Sequence, residues 1–524
     1  MGEEGRKEVF VRKTSGLIRN LSARDAMVFN LMVMAPTAIL VYGVWASMIW
    51  PGVHLPTTAL ICIPISLVVG LFYAVYSTTM PRSGGDYVWA SRTLHPAIGF
   101  MISFCMFMIV LGVAGSYIPW FTQWALSPML EANGYADAAA LVATNEFSYV
   151  FALLFYLIVA AILSKGSKVM SYVLGIMFGL VFVGFIMYSL TMMTTGPAQF
   201  AANFNAQTGM NYQAVIDKAT ELGFPGKFLV DATLLGFSFT LINFLGFHTS
   251  VYLSGEVKDV RRSQLIAIAG AVIVFGLISW IAYEVTYYGM GGIFVGALSY
   301  LAASGDPSYT LPFAQPFFMP YLYRYAVSTP VYTFVLFCWS MMILAAIITY
   351  IVIAVRLTFA WSFDRVLPTA LSKVDRRYGT PYMALIFVTI VAILLQIAWL
   401  WTPLLSYFAY IPLVWMIMQI ITAISALAFP RVRKDIYEKS PAIARAKIGP
   451  FPVLSTLAVL AIIFGLYIAY ASMQPAMIGA INPSILTFSV GLFVLGLVIY
   501  FISSLYHRKI GIPLELSFKE VPPE

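Results

Sequence analysis

The residues of this chain best placed to do chemistry interrupt an apolar stretch at 236–258, GFSFTLINFLGFHTSVYLSGEVK. Asn243, Gly246, His248 and Thr249 fall at its centre. At about 1.5 Å per helical residue, 231–256 is long enough to cross a bilayer with its interfaces, which puts 243–248 near the midplane. Polar groups at that depth cost several kcal/mol unless they bond to neighbours or line a cavity. Two readings follow. Either this is an ordinary spanning helix whose polar groups bond to adjacent helices, or it is a broken helix that forms a solute site.

A second interruption lies near the start of the chain. Asn30 is followed by Ala35-Pro36-Thr37-Ala38 in another apolar run. Proline removes a backbone donor and clashes with the preceding turn, so a kink is expected there. Breaking a helix frees amide donors at one half and carbonyl acceptors at the other. The donors suit a carboxylate and the carbonyls suit a cation.

His248 has its own chemistry. His54, His95 and His507 stand near span ends or in loops, and only His248 lies at depth. A histidine changes charge within the physiological pH range, so His248 is a candidate for coupling proton movement to solute binding, the alternative being a neutral ring bonded to an adjacent helix. Thr349, midway along a very long apolar run, is a candidate cation ligand, although its hydroxyl is expected to bond back to its own helix. Asp231 and Glu284 fall at the outer ends of their helices and read as interfacial. The sequence contains no HExxH, GxxxxGK[ST] or GxSxG, so no enzyme constellation is present, and no phosphate-binding loop points to direct use of ATP. Cys62, Cys105 and Cys338 lie in apolar segments without metal-ligand spacing. No cofactor or metal is expected.

These residues need helices to position them, and composition supplies them. Of 524 residues, 61% are hydrophobic and 10% charged, which places the chain among multi-span membrane proteins. Apolar runs predict spans at about 25–50, 56–79, 97–127, 147–164, 168–194, 230–255, 263–290, 327–361, 381–401, 403–429, 451–474 and 484–506. The first span is expected to act as an uncleaved signal anchor. With both termini in the cytoplasm, all of the 30 Lys and Arg except Lys218, Lys227 and Arg324 fall on inner segments. These include Arg6, Lys7, Arg12 and Lys13, the loop bases Arg82, Arg92, Lys168 and Arg356, and Lys519 in the tail. The net charge of +8 is therefore topological and calls for no nucleic-acid partner.

The expected organisation is a cytoplasmic segment 1–24, five helices over 25–194, an outer loop 195–229, and five helices over 230–429. A cytoplasmic loop 430–450, two further helices over 451–506 and a cytoplasmic tail 507–524 complete it. Outer segments 195–229 and 291–326 either hold short capping helices or are solvated loops. Spans one and six are corresponding members of the two groups of five. Interrupted helices in equivalent places of two halves are the best pointer in a sequence to a transport site.

Three stretches carry a family resemblance. Pro81-Arg82-Ser83-Gly84-Gly85-Asp86-Tyr87-Val88 is similar to a P-x-S-G-G-x-Y motif after span two. Asn243-Phe244-Leu245-Gly246-Phe247-His248, running on to Ser254-Gly255-Glu256-Val257-Lys258, resembles F-x-G-x-E followed by G-E-V-K-N-P. Phe359-Ala360-Trp361-Ser362-Phe363-Asp364-Arg365-Val366-Leu367-Pro368, then Tyr378-Gly379-Thr380-Pro381, resembles A-x-D-G-x-L-P and G-T-P after span eight. Together, over roughly 15–510, they resemble the amino acid–polyamine–organocation permeases. The resemblance implies an all-α membrane protein with the leucine-transporter fold, a 5+5 inverted repeat plus two C-terminal helices. It implies alternating access, with spans one, two, six and seven moving against a scaffold. Cargo contacts would be made largely by backbone at Ala35, Pro36, Thr37 and Ala38 and at Asn243, Phe244, Leu245 and Gly246.

Two positions depart from the pattern. The usual G-S-G of span one is Pro36-Thr37-Ala38, and Pro36 has no amide to offer a carboxylate. His248 stands where a glutamate often follows the span-six glycine. Lys168 lies at the membrane edge, so the span-five lysine that some relatives use for proton coupling has no counterpart. The resulting expectation is a secondary transporter of the cytoplasmic membrane for amino acids or related amines, taking up its solute with protons or, alternatively, sodium. An amine or amino acid exchanger is the nearest rival, and a channel or sensor a more distant one.

Overall fold

The computed structural model describes residues 16–36, 38–402, 411–474, 483–511 and 514–518. Thr37, the bases Arg6, Lys7, Arg12 and Lys13, and Lys519 lie outside the described residues.

Among the described residues, twelve helices are long and apolar enough to cross a membrane. In order they are Ala23–Ile49, Leu55–Ser77, Pro96–Ala132, Asn145–Ser164, Ser167–Thr208, Val230–Leu253, Val260–Met290, Thr329–Phe363, Tyr382–Trp401, Leu413–Val432, Val453–Ala471 and Thr487–Lys509. They are called spans one to twelve below. The only strands in the described residues are the two-residue pair Lys447–Ile448 and Phe451–Pro452 between spans ten and eleven. The chain is thus an all-α multi-pass membrane protein.

Burial ranks the spans. Spans one and eight are the most enclosed, with 82% and 83% of their most apolar window buried, against 28% for spans eleven and twelve. Lipid is as apolar as leucine, so packing rather than hydrophobicity has to hold such helices together, and small residues permit close approach. Spans two and seven use this device twice. A Cβ on Gly70 would fall 2.8 Å from Ile268, and one on Gly276 would fall 2.3 Å from Ile63.

Span five departs from its expected limits. It continues as Ser167–Thr208 into the segment expected as outer loop, with a break in its winding at Gly196 (φ 68°). The positive φ of glycine allows Pro197 to start a new helical stretch there, so the apolar run ends before the helix does. Both outer segments contain short helices, Tyr212–Glu221 and Gly292–Ser304. They pack together, with the Tyr212 and Phe294 rings stacked 4.1 Å apart.

Candidate functional site

Span one is two helices. Ala23–Met34 starts with a capping box, in which Ser22 accepts from the Asp25 amide and Asp25 accepts from the Ser22 amide. It ends at Ala35, whose left-handed conformation (φ 54°, ψ 74°) is costly for a residue with a Cβ. Pro36 cannot continue the ladder. The Ala38 amide returns to the Ala35 carbonyl at 2.9 Å, and a new helix runs over Ile39–Ile49. Among the described residues no side chain caps this second start; the Val41 and Tyr42 amides return to the Ala38 carbonyl at 2.9 and 3.1 Å, and the Ile39 and Leu40 amides are the first-turn donors next to the break. On the other side, Tyr350 of span eight donates its hydroxyl to the Val33 carbonyl at 3.1 Å.

Span six breaks in the same manner, slightly later than its polar residues suggest. Its helix Val230–Phe244 still contains Asn243 and Phe244. Leu245 leaves the helix at ψ 134°, Gly246 takes φ 109°, and the chain resumes as a 3-10 turn over Thr249–Leu253. Gly246 is required on two counts. Its φ disfavours an L side chain, and a Cβ there would lie 2.5 Å from Val33 Cγ1. Hence the two breaks touch: the glycine of span six rests on the last turn before the interruption of span one.

Asn30 joins them. Its Oδ1 accepts from the Ser250 amide at 2.7 Å and its Nδ2 donates to Ser250 Oγ at 3.0 Å. Ser250 Oγ in turn donates to Gln264 Oε1 of span seven at 2.6 Å. Asn30 was legible as a deep polar residue. Gln264, one turn inside span seven, gave no such signal.

His248 is buried within this region. Its ring stacks on Tyr73 of span two, centroids 3.8 Å apart, and meets Trp415 of span ten edge-on at 5.6 Å. Neither ring nitrogen has a hydrogen-bond partner among the described residues, and neither does Asn243 Nδ2. Among the described residues the ring thus packs on aromatics, and no bond to a neighbouring helix is found. Thr349 is buried and donates to the Ala346 carbonyl of its own helix at 2.7 Å. Glu284 accepts from Trp280 at 3.1 Å in an exposed position. Lys168 pairs with Asp25 at 2.9 Å, partly exposed at the end of span five.

At the end of span six that follows the break, the three motif stretches meet. The Gly84 amide donates to the Tyr252 carbonyl at 3.2 Å, and the Gly255 amide donates to Ser83 Oγ at 3.2 Å. Asp364, at the end of span eight, takes Arg82 at 2.9 Å and both its oxygens take Arg92, at 3.0 and 3.1 Å. Burial pushes the Asp364 carboxyl up, but the two guanidiniums outweigh it and hold the group below the usual carboxylate range. Glu256 pairs with Arg356 of span eight at 2.5 Å. The start of span one closes the same end, with the Lys258 amide donating to the Leu21 carbonyl at 2.8 Å.

These pairs correct one expectation. Arg356, expected in the loop after span eight, lies within that helix, and Arg82, Arg92 and Arg356 are only 1%, 5% and 5% exposed. Charge counting could not reveal this, because their partners Asp364 and Glu256 are far away in the sequence.

The geometry can now be set beside known proteins. No curated protein matches the chain. The model of a family described as "Amino acid permease" matches residues 25–504. The chain belongs to this amino acid permease family. It is accordingly a membrane transporter for amino acids or amines rather than an enzyme, and the two touching breaks lie inside the matched region.

Proposed function

We propose that this permease is a secondary transporter of the cytoplasmic membrane, with both termini inside, that takes up amino acids or related amines by alternating access coupled to protons. The observation that carries the reading is the contact between the broken parts of spans one and six, beside which Asn243 Nδ2 and both His248 nitrogens are buried without partners among the described residues. A buried polar group left unpaired costs about 1–3 kcal/mol, so a solute that supplies the missing bonds gains from entering. The amides at the start of Ile39–Ile49 suit a carboxylate, and the carbonyl end of Val230–Phe244 suits an amino group.

A proton is favoured over sodium as the coupling ion. His248 is the titratable group at the break.

Purified protein in liposomes, acid outside, tests this with labelled amino acids and, separately, labelled putrescine. Net accumulation that collapses with the pH gradient is expected. His248→Gln should flatten the dependence on external pH. Flux only against the same solute preloaded inside would replace uptake by exchange. Absence of flux for every solute, or an unchanged pH profile in His248→Gln, would overturn the substrate or the coupling claim respectively.

A further inference from the structure

The carboxylate of Asp86 is unlike the other buried acids of this chain. It is 1% exposed, yet no arginine or lysine pairs with it among the described residues. Its one side-chain partner is Tyr252 of span six, whose hydroxyl donates to Asp86 Oδ1 at 3.0 Å. The contact belongs to an interlock. Gly84 and Gly85, at φ 110° and 53°, press the span two–three loop on span six so closely that a Cβ on Gly85 would lie 2.9 Å from Val251 and 3.1 Å from Tyr252. The same residues of span six lead directly out of the break at Gly246–His248.

We propose that Asp86 is a positioning residue for transport, a latch that closes the cytoplasmic end of span six when its carboxyl is protonated and loosens it when the carboxyl is ionised. The proposal rests on the reading of spans one and six as the transport site. The physical reason is the asymmetry of burial. An ionised carboxylate loses its hydration in the closed arrangement and regains it when span six and the loop part. A neutral one loses little in either. Burial correspondingly pushes the Asp86 carboxyl up to about 6, against the downward pull of the Tyr252 hydroxyl.

The surrounding groups leave this titration to Asp86. From span six it meets Tyr252, and Glu256 beyond it is paired with Arg356. From span two Tyr73 reaches the helix of Asp86, with the Tyr73 and Trp89 rings 6.1 Å apart, and stacks on His248 on its other side. Arg82 in the loop before it and Arg92 on its own helix both bind Asp364 at the end of span eight. Tyr87, next on its own helix, is kept neutral by burial. Span ten presents Ser425 and Phe429 to this corner, bonded and stacked on Tyr76, and just beyond it Arg433 donates to the Arg92 carbonyl at 3.4 Å while paired with Asp435 at 3.0 Å.

The sign is fixed by linkage. The closed form holds the proton more tightly than an opened, hydrated form at the ordinary value of 3.8. Acid therefore favours closure, and the closing equilibrium should be about tenfold more favourable at about pH 5 than at about pH 7.5.

Hydrogen exchange of the whole protein in nanodiscs, with no solute present, tests the latch apart from any transport assay. Segments 82–93 and 249–258 are followed at about pH 5 and about pH 7.5, each corrected for intrinsic exchange. The wild type should show about tenfold greater protection at the lower pH. Asp86→Asn, a permanently neutral group, should be protected to the acid level at both. Asp86→Glu retains a titrating carboxyl and should restore a pH dependence, which a merely structural role would not. Equal protection of the wild type at the two pH values, or a wild-type profile in Asp86→Asn, would overturn the latch and leave the transport reading standing. Failure of every solute in liposomes would do the reverse.

Discussion

Gly246→Ala is the sharpest test of the two touching breaks. The substitution adds one methyl group, and it acts in two ways. Backbone at φ 109° is strained for any L side chain, which costs about 1–3 kcal/mol. The new Cβ would stand 2.5 Å from Val33 Cγ1, 3.2 Å from Val33 Cβ and 3.3 Å from the Val33 carbonyl carbon. The methyl of Val33 can turn aside, but its backbone carbon is part of the last turn before the span-one break and can move only with that helix. Overpacking of this kind adds about 1–3 kcal/mol. The sum is about 2–6 kcal/mol. Gly175→Ala is the matching control. Gly175 lies in span five with nothing within 4 Å of an added Cβ, so alanine should stabilise the helix by about 0.5–1 kcal/mol. Thermal unfolding in detergent, followed by tryptophan fluorescence at a fixed scan rate, should show Gly246→Ala lowered by about 2–10 °C and Gly175→Ala equal to wild type or slightly above it. Solute flux should fall at least about tenfold in Gly246→Ala alone, because a displacement of about 1 Å in a binding geometry is already costly. If both glycine variants melt and transport like the wild type, the two breaks do not press on each other and the site has been misplaced.

Asn30→Ala should destabilise by about 1–3 kcal/mol, because it leaves the buried Ser250 amide without an acceptor. The loss reads as a lower melting temperature and a raised Km in liposomes. Asp364→Asn strands Arg82 and Arg92 in a buried corner and should cost about 3–5 kcal/mol. The sign with pH follows from its depressed carboxyl: the stabilisation is complete above the unfolded value of 3.8 and disappears as pH falls below it, so wild type and Asp364→Asn should converge in melting temperature only in strong acid.

The class and span count were legible because twelve long apolar runs leave little choice, and the two interruptions were legible because proline, glycine and deep polar residues mark a break in winding. The third-dimensional partners were not. Charge patterning counts bases by the side of the membrane on which they fall, so it assigned Arg82, Arg92 and Arg356 to topology and could not show that Asp364 and Glu256 draw them inside. Gly84 and Gly85 were visible as a motif, but their purpose, close approach of Gly84 to Ala360 and of Gly85 to Val251 and Tyr252, depends on contacts with spans eight and six that are remote in the sequence. The break in span six was read at 243–246 and lies at 245–248, because asparagine and phenylalanine are tolerated in a last helical turn while Gly246 is the residue that the turn requires.

The polar contacts also say which motion would be hardest. One set ties spans one, six and seven to one another: Asn30 to Ser250, Ser250 to Gln264, and Tyr283 to the Ile39 carbonyl at 3.0 Å. These would travel together if the spans move as a bundle. A second set ties them to spans five and eight: Asp25 to Lys168 and Ser171, Val33 to Tyr350, and Glu256 to Arg356. Within that set only Glu256–Arg356 is a fully buried ion pair, and it sits at the end of span six where Tyr252 donates to Asp86. Separating such a pair strands two charges until water reaches them, at several kcal/mol per ion. On the proposed alternating-access reading, opening that end would therefore be the step most in need of free energy from bound cargo or a transferred proton. Replacing both partners together, Glu256→Gln with Arg356→Gln, removes the charges without stranding either one. On the alternating-access reading the double variant should speed the opening that each single variant only destabilises. A double variant whose exchange at 249–258 matches the wild type would locate the barrier elsewhere.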